Sequence, residues 1–182
     1  MHRILTTALL LTLSSLIYYG GFSLNTFLFS RADFSVGVNW IFLPAGLRLL
    51  LTLLFAEEGA VGIAISSMAI GLFNFFTNDP LTAITSGIIS GVSPYIARMI
   101  ILHKTNLSEG LGNLSTSLLM QCAFIFSIIS PTLHQIWFYI QGYTSNFWSS
   151  LCVMMIGDLI GSIIVIYLAK LSIDIWRIFS PR

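Results

Sequence analysis

Long apolar runs follow one another through this sequence, and nothing else in it constrains the fold as strongly. A helix needs roughly 20 apolar residues to cross a bilayer, at about 1.5 Å of rise each. The runs are Ile4–Leu24, Ile41–Ala56, Gly59–Phe76, Leu81–Leu102, Leu114–Ser130 and Phe147–Ala169, joined by connections too short to fold as domains. In hydrocarbon every backbone polar group must be satisfied within its own segment, which selects helices. The expected fold is all-α: a polytopic integral membrane bundle of about six transmembrane helices. It forms a single transmembrane domain over residues 1–182 without a soluble domain, and its first partner is the lipid bilayer. Charged residues make up 8% of the chain, against about 25% in ordinary soluble domains. The net charge of +1 points to neither nucleic acid nor an acidic partner.

The first run also resembles a signal peptide, since Arg3 precedes it. No Ala-x-Ala-type cleavage site follows, so it reads as a retained first helix. Cationic residues then set the orientation. Of the 8 Lys and Arg, Arg3, Arg98, Lys104, Lys170, Arg177 and Arg182 fall at cytoplasmic ends if the N-terminus is inside, and only Arg31 falls outside. The positive-inside rule therefore predicts an even number of crossings with both termini cytoplasmic. Trp40, Trp137, Tyr139, Tyr143 and Trp148 would form an aromatic belt at the outer interface. Pro131 either ends the fifth span, leaving Leu133–Ile140 along the outer surface, or lies within a longer tilted helix.

Ionised side chains at membrane depth are the main functional signal. Arg48 lies 8 residues past Trp40, about 12 Å into a core of about 30 Å. Arginine there costs roughly 2.5–3.5 kcal/mol, which the Leu, Ile and Phe residues of the same span offset at about 0.3–0.6 kcal/mol each. A partner is expected. Asp158 lies 10 residues past Trp148, at a similar counted depth of about 15 Å. The two are expected to pair directly, or through water or a ligand. Such a pair either fixes helix register or takes part in ligand binding or signalling. Glu57 and Glu58 form the turn after the second span, and Arg98 ends the fourth. They read as cytoplasmic-interface charge or as a docking patch for a partner protein.

The remaining polar residues carry less. Asn25, Asn39, Asn74 and Gln121 can hydrogen-bond between helices, and Asn78-Asp79-Pro80 is a turn signal. Gly110-Leu111-Gly112 lacks the rest of a phosphate-binding fingerprint. Gly87 and Gly91, Gly157 and Gly161, and Ala60 and Ala64 have the spacing of faces on which helix backbones approach closely. Cys122 and Cys152 are isolated, and His2, His103 and His134 are scattered. That pattern offers no zinc spacing, disulfide framework or catalytic constellation. No enzyme activity, metal or cofactor is expected.

Two stretches carry a family likeness. Trp40-Ile41-Phe42-Leu43-Pro44-Ala45-Gly46-Leu47 resembles the Trp-x-Pro-x-Gly-type segment that opens an early span in the membrane-associated sensor (MASE) family, first type. Gly157-Asp158-Leu159-Ile160-Gly161 resembles the Gly-Asp-x-x-Gly segment of a late span in that family, and Gly71-Leu72-Phe73-Asn74 fits its general pattern. Here the Trp40-to-Pro44 spacing is longer than the usual one. Members typically have about eight spans and a fused cytoplasmic output domain, whereas this chain shows six runs and none. The resemblance implies a bacterial inner-membrane sensory or ligand-binding module, with Trp40, Pro44, Gly46, Gly157, Asp158 and Gly161 as the positions of interest. In size and span count the chain is also similar to substrate-binding S subunits of energy-coupling-factor transporters. That likeness implies a vitamin-type small molecule bound near the outer face and a membrane partner. A structural or assembly subunit of a larger membrane complex is the third reading.

Overall fold

The computed structural model describes residues 2–105 and 115–179. Leu114, the Gly110-Leu111-Gly112 stretch and Arg182 lie outside the described residues, as do the side chains of Lys104 and Arg177. The chain is all-α apart from a small hairpin. Helix α1 spans His2–Phe29, and a short 3-10 turn, Ser30–Ala32, leads into strands β1 (Asp33–Ser35) and β2 (Val38–Asn39). Helix α2 spans Leu43–Ile70 and runs into a π-helical turn, Gly71–Phe75. Helices α3 (Pro80–Thr105), α4 (Thr116–Ile140) and α5 (Phe147–Phe179) follow. Five helices are long and apolar enough to cross a membrane, which marks a multi-pass membrane protein.

The turn expected at Glu57 and Glu58 is made by one residue inside α2. Ala56 adopts φ 48° and ψ −117°, a conformation that L side chains rarely adopt. The neighbours of α1 show what this does to the chain. Against the first half of α2, α1 runs antiparallel: Tyr18 meets Arg48, Gly21 meets Leu47, and Asn25 Oδ1 accepts from the Leu43 N–H at 2.9 Å. Against the second half it runs parallel: Thr7 donates to Glu58, Ser15 donates to the Gly62 carbonyl, and Phe22 stacks edge-on with Phe75. The two halves of α2 therefore point in opposite directions. Gly59 folds back onto the Leu51 carbonyl, where any side chain would collide with backbone.

Small residues let the remaining helices close on this hairpin. Gly87 and Gly91 of α3 lie against Met68, Ala64 and Ala60, so those small-residue faces meet within the bundle. On α5, Gly157 abuts the Asn39 carbonyl and Gly161 the Phe42 carbonyl, while Gly46 approaches Gly161 and Val165. This half of α2 and α5 thus run parallel. One core joins Ala45, Leu49 and Leu53 to Ala97 and Ile101 of α3, Cys122, Ala123 and Phe126 of α4, and Ile166 of α5. Helix α1 is peripheral: 11% of its most apolar window is buried, against 50% for α3.

Pro131 does not end a span. Helix α4 continues through it to Ile140, so the longer-helix alternative holds and Leu133–Ile140 is not a separate surface segment. Either side of the proline, Ser127 donates to the Phe124 carbonyl and Thr132 to the Ile128 carbonyl, and Pro131 itself is buried. The π turn ends on a bond from the Phe76 N–H to the Gly71 carbonyl, at 2.7 Å. Asp79 then accepts from the Thr82 N–H and caps α3.

Candidate functional site: a cavity around Arg48

Arg48 leaves α2 about one turn after Pro44, and its side chain leans back toward the start of the helix, as helical side chains do. Its guanidinium carbon lies 5.2 Å from the Phe42 ring centre and 5.4 Å from that of Tyr18. Nε and Nη2 both donate to the Tyr18 hydroxyl, at 2.9 and 2.7 Å. Arg48 is 5% exposed, and its Nη1 has no hydrogen-bond partner. One edge of a buried cation is held by a phenol and two aromatic faces, and the other edge is buried without a partner.

Arg48 also lines a cavity of about 60 Å³. By the measure in which one water needs about 10–15 Å³, it has room for a few waters or one small solute. Its polar wall comes from Ser67 of α2, Ser86 and Ser90 of α3, and His134 of α4. The hydroxyls of Ser67 and Ser86 are buried without a partner. His134 is also buried. Its Nδ1 lies 2.9 Å from the Ser130 carbonyl and its Nε2 3.4 Å from the Ser90 hydroxyl. A carbonyl only accepts, so in the neutral ring Nδ1 carries the proton and Nε2 accepts from Ser90. Phe22, Phe75, Phe76 and Phe138 supply the apolar wall.

The β hairpin covers the same end of the bundle. Gly37 and Asn39 line the cavity, and Val38 is fully buried against Val153 and Met154 of α5. Gly37 has φ 72°, a value that favours glycine at the hairpin turn. Phe76 packs against Phe138 and Tyr143 alongside this lid.

Asp158 is fully buried, and neither carboxylate oxygen has a hydrogen-bond partner. It makes no direct ion pair with Arg48, whose bonds go to Tyr18. The register explains why. Phe42 sits beside Gly161, which offsets the Arg48 and Asp158 backbones by about nine residues, roughly 13 Å along the axis. Counting inward from Trp40 and Trp148 treated both helices as starting level. The hairpin and the Phe42–Gly161 contact instead set α2 deeper against α5. The direct form of the expected pair is therefore absent.

The Trp40–Leu47 and Gly157–Gly161 segments do come together. Trp40, Pro44 and Gly46 lie on one side of the α2–α5 seam, and Gly157 and Gly161 on the other. The Phe42 N–H donates to the Gly157 carbonyl at 3.3 Å. Trp40 is partly exposed beside Phe34, whereas Pro44 is buried. Glu57 and Glu58 flank the reversal and accept from Tyr95 and Thr7. Arg98 is buried, 8% exposed, so it does not share an exposed charged patch with them. Its position one turn above Ile101 on α3 puts it within the core that holds Cys122.

Asn25 bonds across helices as expected, but Asn74 and Gln121 do not. They bond Ile70 and Ser117 on their own chain segments. Tyr18, Ser67, Ser86 and His134 carried no sequence signal for a shared site, because each stands alone in a different apolar run. Among the described residues no group of His, Cys, Asp or Glu is placed to hold a metal ion. Comparison with protein-family models, curated proteins and solved structures finds no match.

Proposed function

We propose that this chain is a six-crossing membrane protein that holds a small polar molecule in the Arg48 cavity, acting as a sensor-like or ligand-binding module. One observation carries the reading. A buried arginine is fixed by Tyr18 on one edge, keeps an unpartnered nitrogen on the other, and lines a cavity with the polar side chains of three other residues, Ser86, Ser90 and His134. A register-fixing ion pair would leave no such edge. The reversal at Ala56 supports counting α2 as two crossings. That gives an even number, with the termini on one side, and the cationic residues favour the cytoplasmic side of a bacterial inner membrane. Tyr18, Ser15 and Asn25 tie α1 to α2, which supports a retained first helix. Asp158, one turn beyond the cavity-lining Met154, fits the water- or ligand-bridged form of its coupling to Arg48.

The second reading is an S-like uptake subunit, favoured by the hairpin whose Gly37 and Asn39 line the cavity. Against it, the Gly87/Gly91 and Gly157/Gly161 faces are consumed inside the bundle and are not free for a partner.

Purification in mild detergent with native mass spectrometry tests the proposal. A small molecule should co-purify with the wild type and be lost from Arg48→Gln. A stoichiometric protein partner with no small molecule would instead favour assembly and overturn the reading. Cysteine labelling near residues 2 and 179, on a Cys122→Ser/Cys152→Ser background, should react from one side only.

A further inference from the structure

We propose that Tyr143 is the outer leaf of an aromatic gate to the Arg48 cavity, latched by Asp79, an assignment whose purpose rests on the ligand-binding reading above. Phe76 and Phe138 both line the cavity. Their ring centres are 5.6 Å apart, and both side chains are buried. Tyr143 does not line the cavity, yet its ring lies 5.0 Å from Phe76 and 6.4 Å from Phe138. It is 36% exposed, so it covers the phenylalanine pair from the solvent side.

The local sequence explains how the ring gets there. Gly142, with φ 76°, ends α4. Its N–H donates to the Tyr139 carbonyl, and the Tyr143 N–H donates to the Phe138 carbonyl. These are the paired bonds of a Schellman cap, which brings the residue after the glycine onto the last turn of the helix. Here that contact sets Tyr143 on Phe138. A tyrosine suits the place, with an apolar body for the phenylalanines and a polar tip for the wet side.

The latch is weaker than the frame around it. The Tyr143 hydroxyl donates to Asp79 at 3.1 Å, at the exposed surface. Asp79 is itself fixed by the Thr82 N–H at the start of α3. Beside the gate, Trp137 donates to Thr82 and Thr144 to the buried Gln135. These bonds pin α3 to α4, and the loop to α4. On the hairpin side, Val38 is buried against α5, and the Phe42–Gly157 bond closes the seam. Turning Tyr143 to another χ1 rotamer breaks its bond to Asp79 and leaves all of these in place. The wall at Phe76 and Phe138 then loses its outer layer without a backbone movement.

Thiol labelling of the whole chain in nanodiscs tests the gate. The reporter is Ser90→Cys, at a cavity-lining position, on a Cys122→Ser/Cys152→Ser background. The reagent is 2-hydroxyethyl methanethiosulfonate, small, uncharged and water-soluble. A parallel chain carries Cys152→Ser and keeps Cys122, a buried core thiol that does not line the cavity. Tyr143→Phe keeps the ring and removes the latch, so it should fold. It should speed labelling at Ser90→Cys about tenfold, the lower end for a hydrogen bond to a charged group because this one is exposed. Tyr143→Ala should speed it further, and Cys122 should label at the same rate throughout.

The gate is overturned if Ser90→Cys labels within about twofold of its parent rate in both Tyr143 variants, or stays unlabelled in all three. It is equally overturned if Cys122 accelerates in step, which marks a loosened bundle. Acceleration in Tyr143→Ala alone would keep the ring as the gate and defeat the Asp79 latch. Labelling needs no bound ligand, so the two readings fail separately. Unchanged rates with a small molecule still co-purifying defeat the gate alone, and the expected rates with no co-purifying molecule defeat the ligand reading alone.

Discussion

Replacing Gly161 with alanine should open the seam between α2 and α5, and the cost can be worked from its contacts. An added Cβ would fall on the Phe42 carbonyl and lie 3.0 Å from the Leu43 nitrogen. These are backbone atoms, so no flexible side-chain tip can swing aside. Gly46 offers no room on the other side, because a Cβ there would already lie 2.6 Å from the Gly161 carbonyl. The segments must separate by about 1 Å, and a gap of that size forfeits up to about half of each dispersion contact across the seam. Overpacking of this kind costs about 1–3 kcal/mol. The Phe42–Gly157 hydrogen bond, 3.3 Å long, is lost with it, for about 1 kcal/mol more. The expected destabilisation is about 2–4 kcal/mol. Reversible unfolding in bicelles by SDS titration would measure it, with Gly20→Ala as the reference because nothing lies within 4 Å of that site. If Gly161→Ala unfolds within about 0.5 kcal/mol of Gly20→Ala, the seam is not the close backbone contact described.

Three further outcomes follow from the same geometry. Tyr18→Phe keeps the ring but removes the acceptor of two bonds to the Arg48 guanidinium, and should cost about 2–4 kcal/mol in the same titration. Ala56→Gly relieves φ 48° and should raise stability by about 1 kcal/mol, the relief of backbone strain exceeding the added chain entropy. Asp79 titrates below the ordinary carboxylate value of 3.8, because Thr82 and then Tyr143 donate to its ionised form. Its stabilising contribution is therefore complete above that value and lost as pH falls through the lowered one. Asp79→Asn should remove this acid-side decline from the pH–stability profile, and an unchanged profile would refute the assignment.

The length of the apolar runs carried the helices because lipid demands self-satisfied backbone, so each run could be nothing else. It placed the reversal near Glu57 and Glu58 for the same reason, since charge there cannot stay in hydrocarbon. The hairpin at Asp33–Asn39 was missed, although Gly37 between short alternating residues was a usable turn signal. The continuation of α4 through Pro131 could not be read locally, because a proline can either end a helix or only interrupt its bonding, and packing around the buried Pro131 is tertiary information. Arg48 was legible as a costly residue seeking company. Its partner was not, because Tyr18 is set by how α1 registers against α2, and register is tertiary information. Matching depth by counting from tryptophans failed for Asp158 since the counts ignore how far each helix slides against its neighbour.

A reversal confined to Ala56 has a consequence for biogenesis. On the six-crossing reading proposed above, its two arms are too tightly joined to be threaded into lipid at separate moments, so they partition together as one unit. The arm from Gly59 to Phe76 carries no ionised side chain, and its favourable transfer helps draw the arginine-bearing arm in with it.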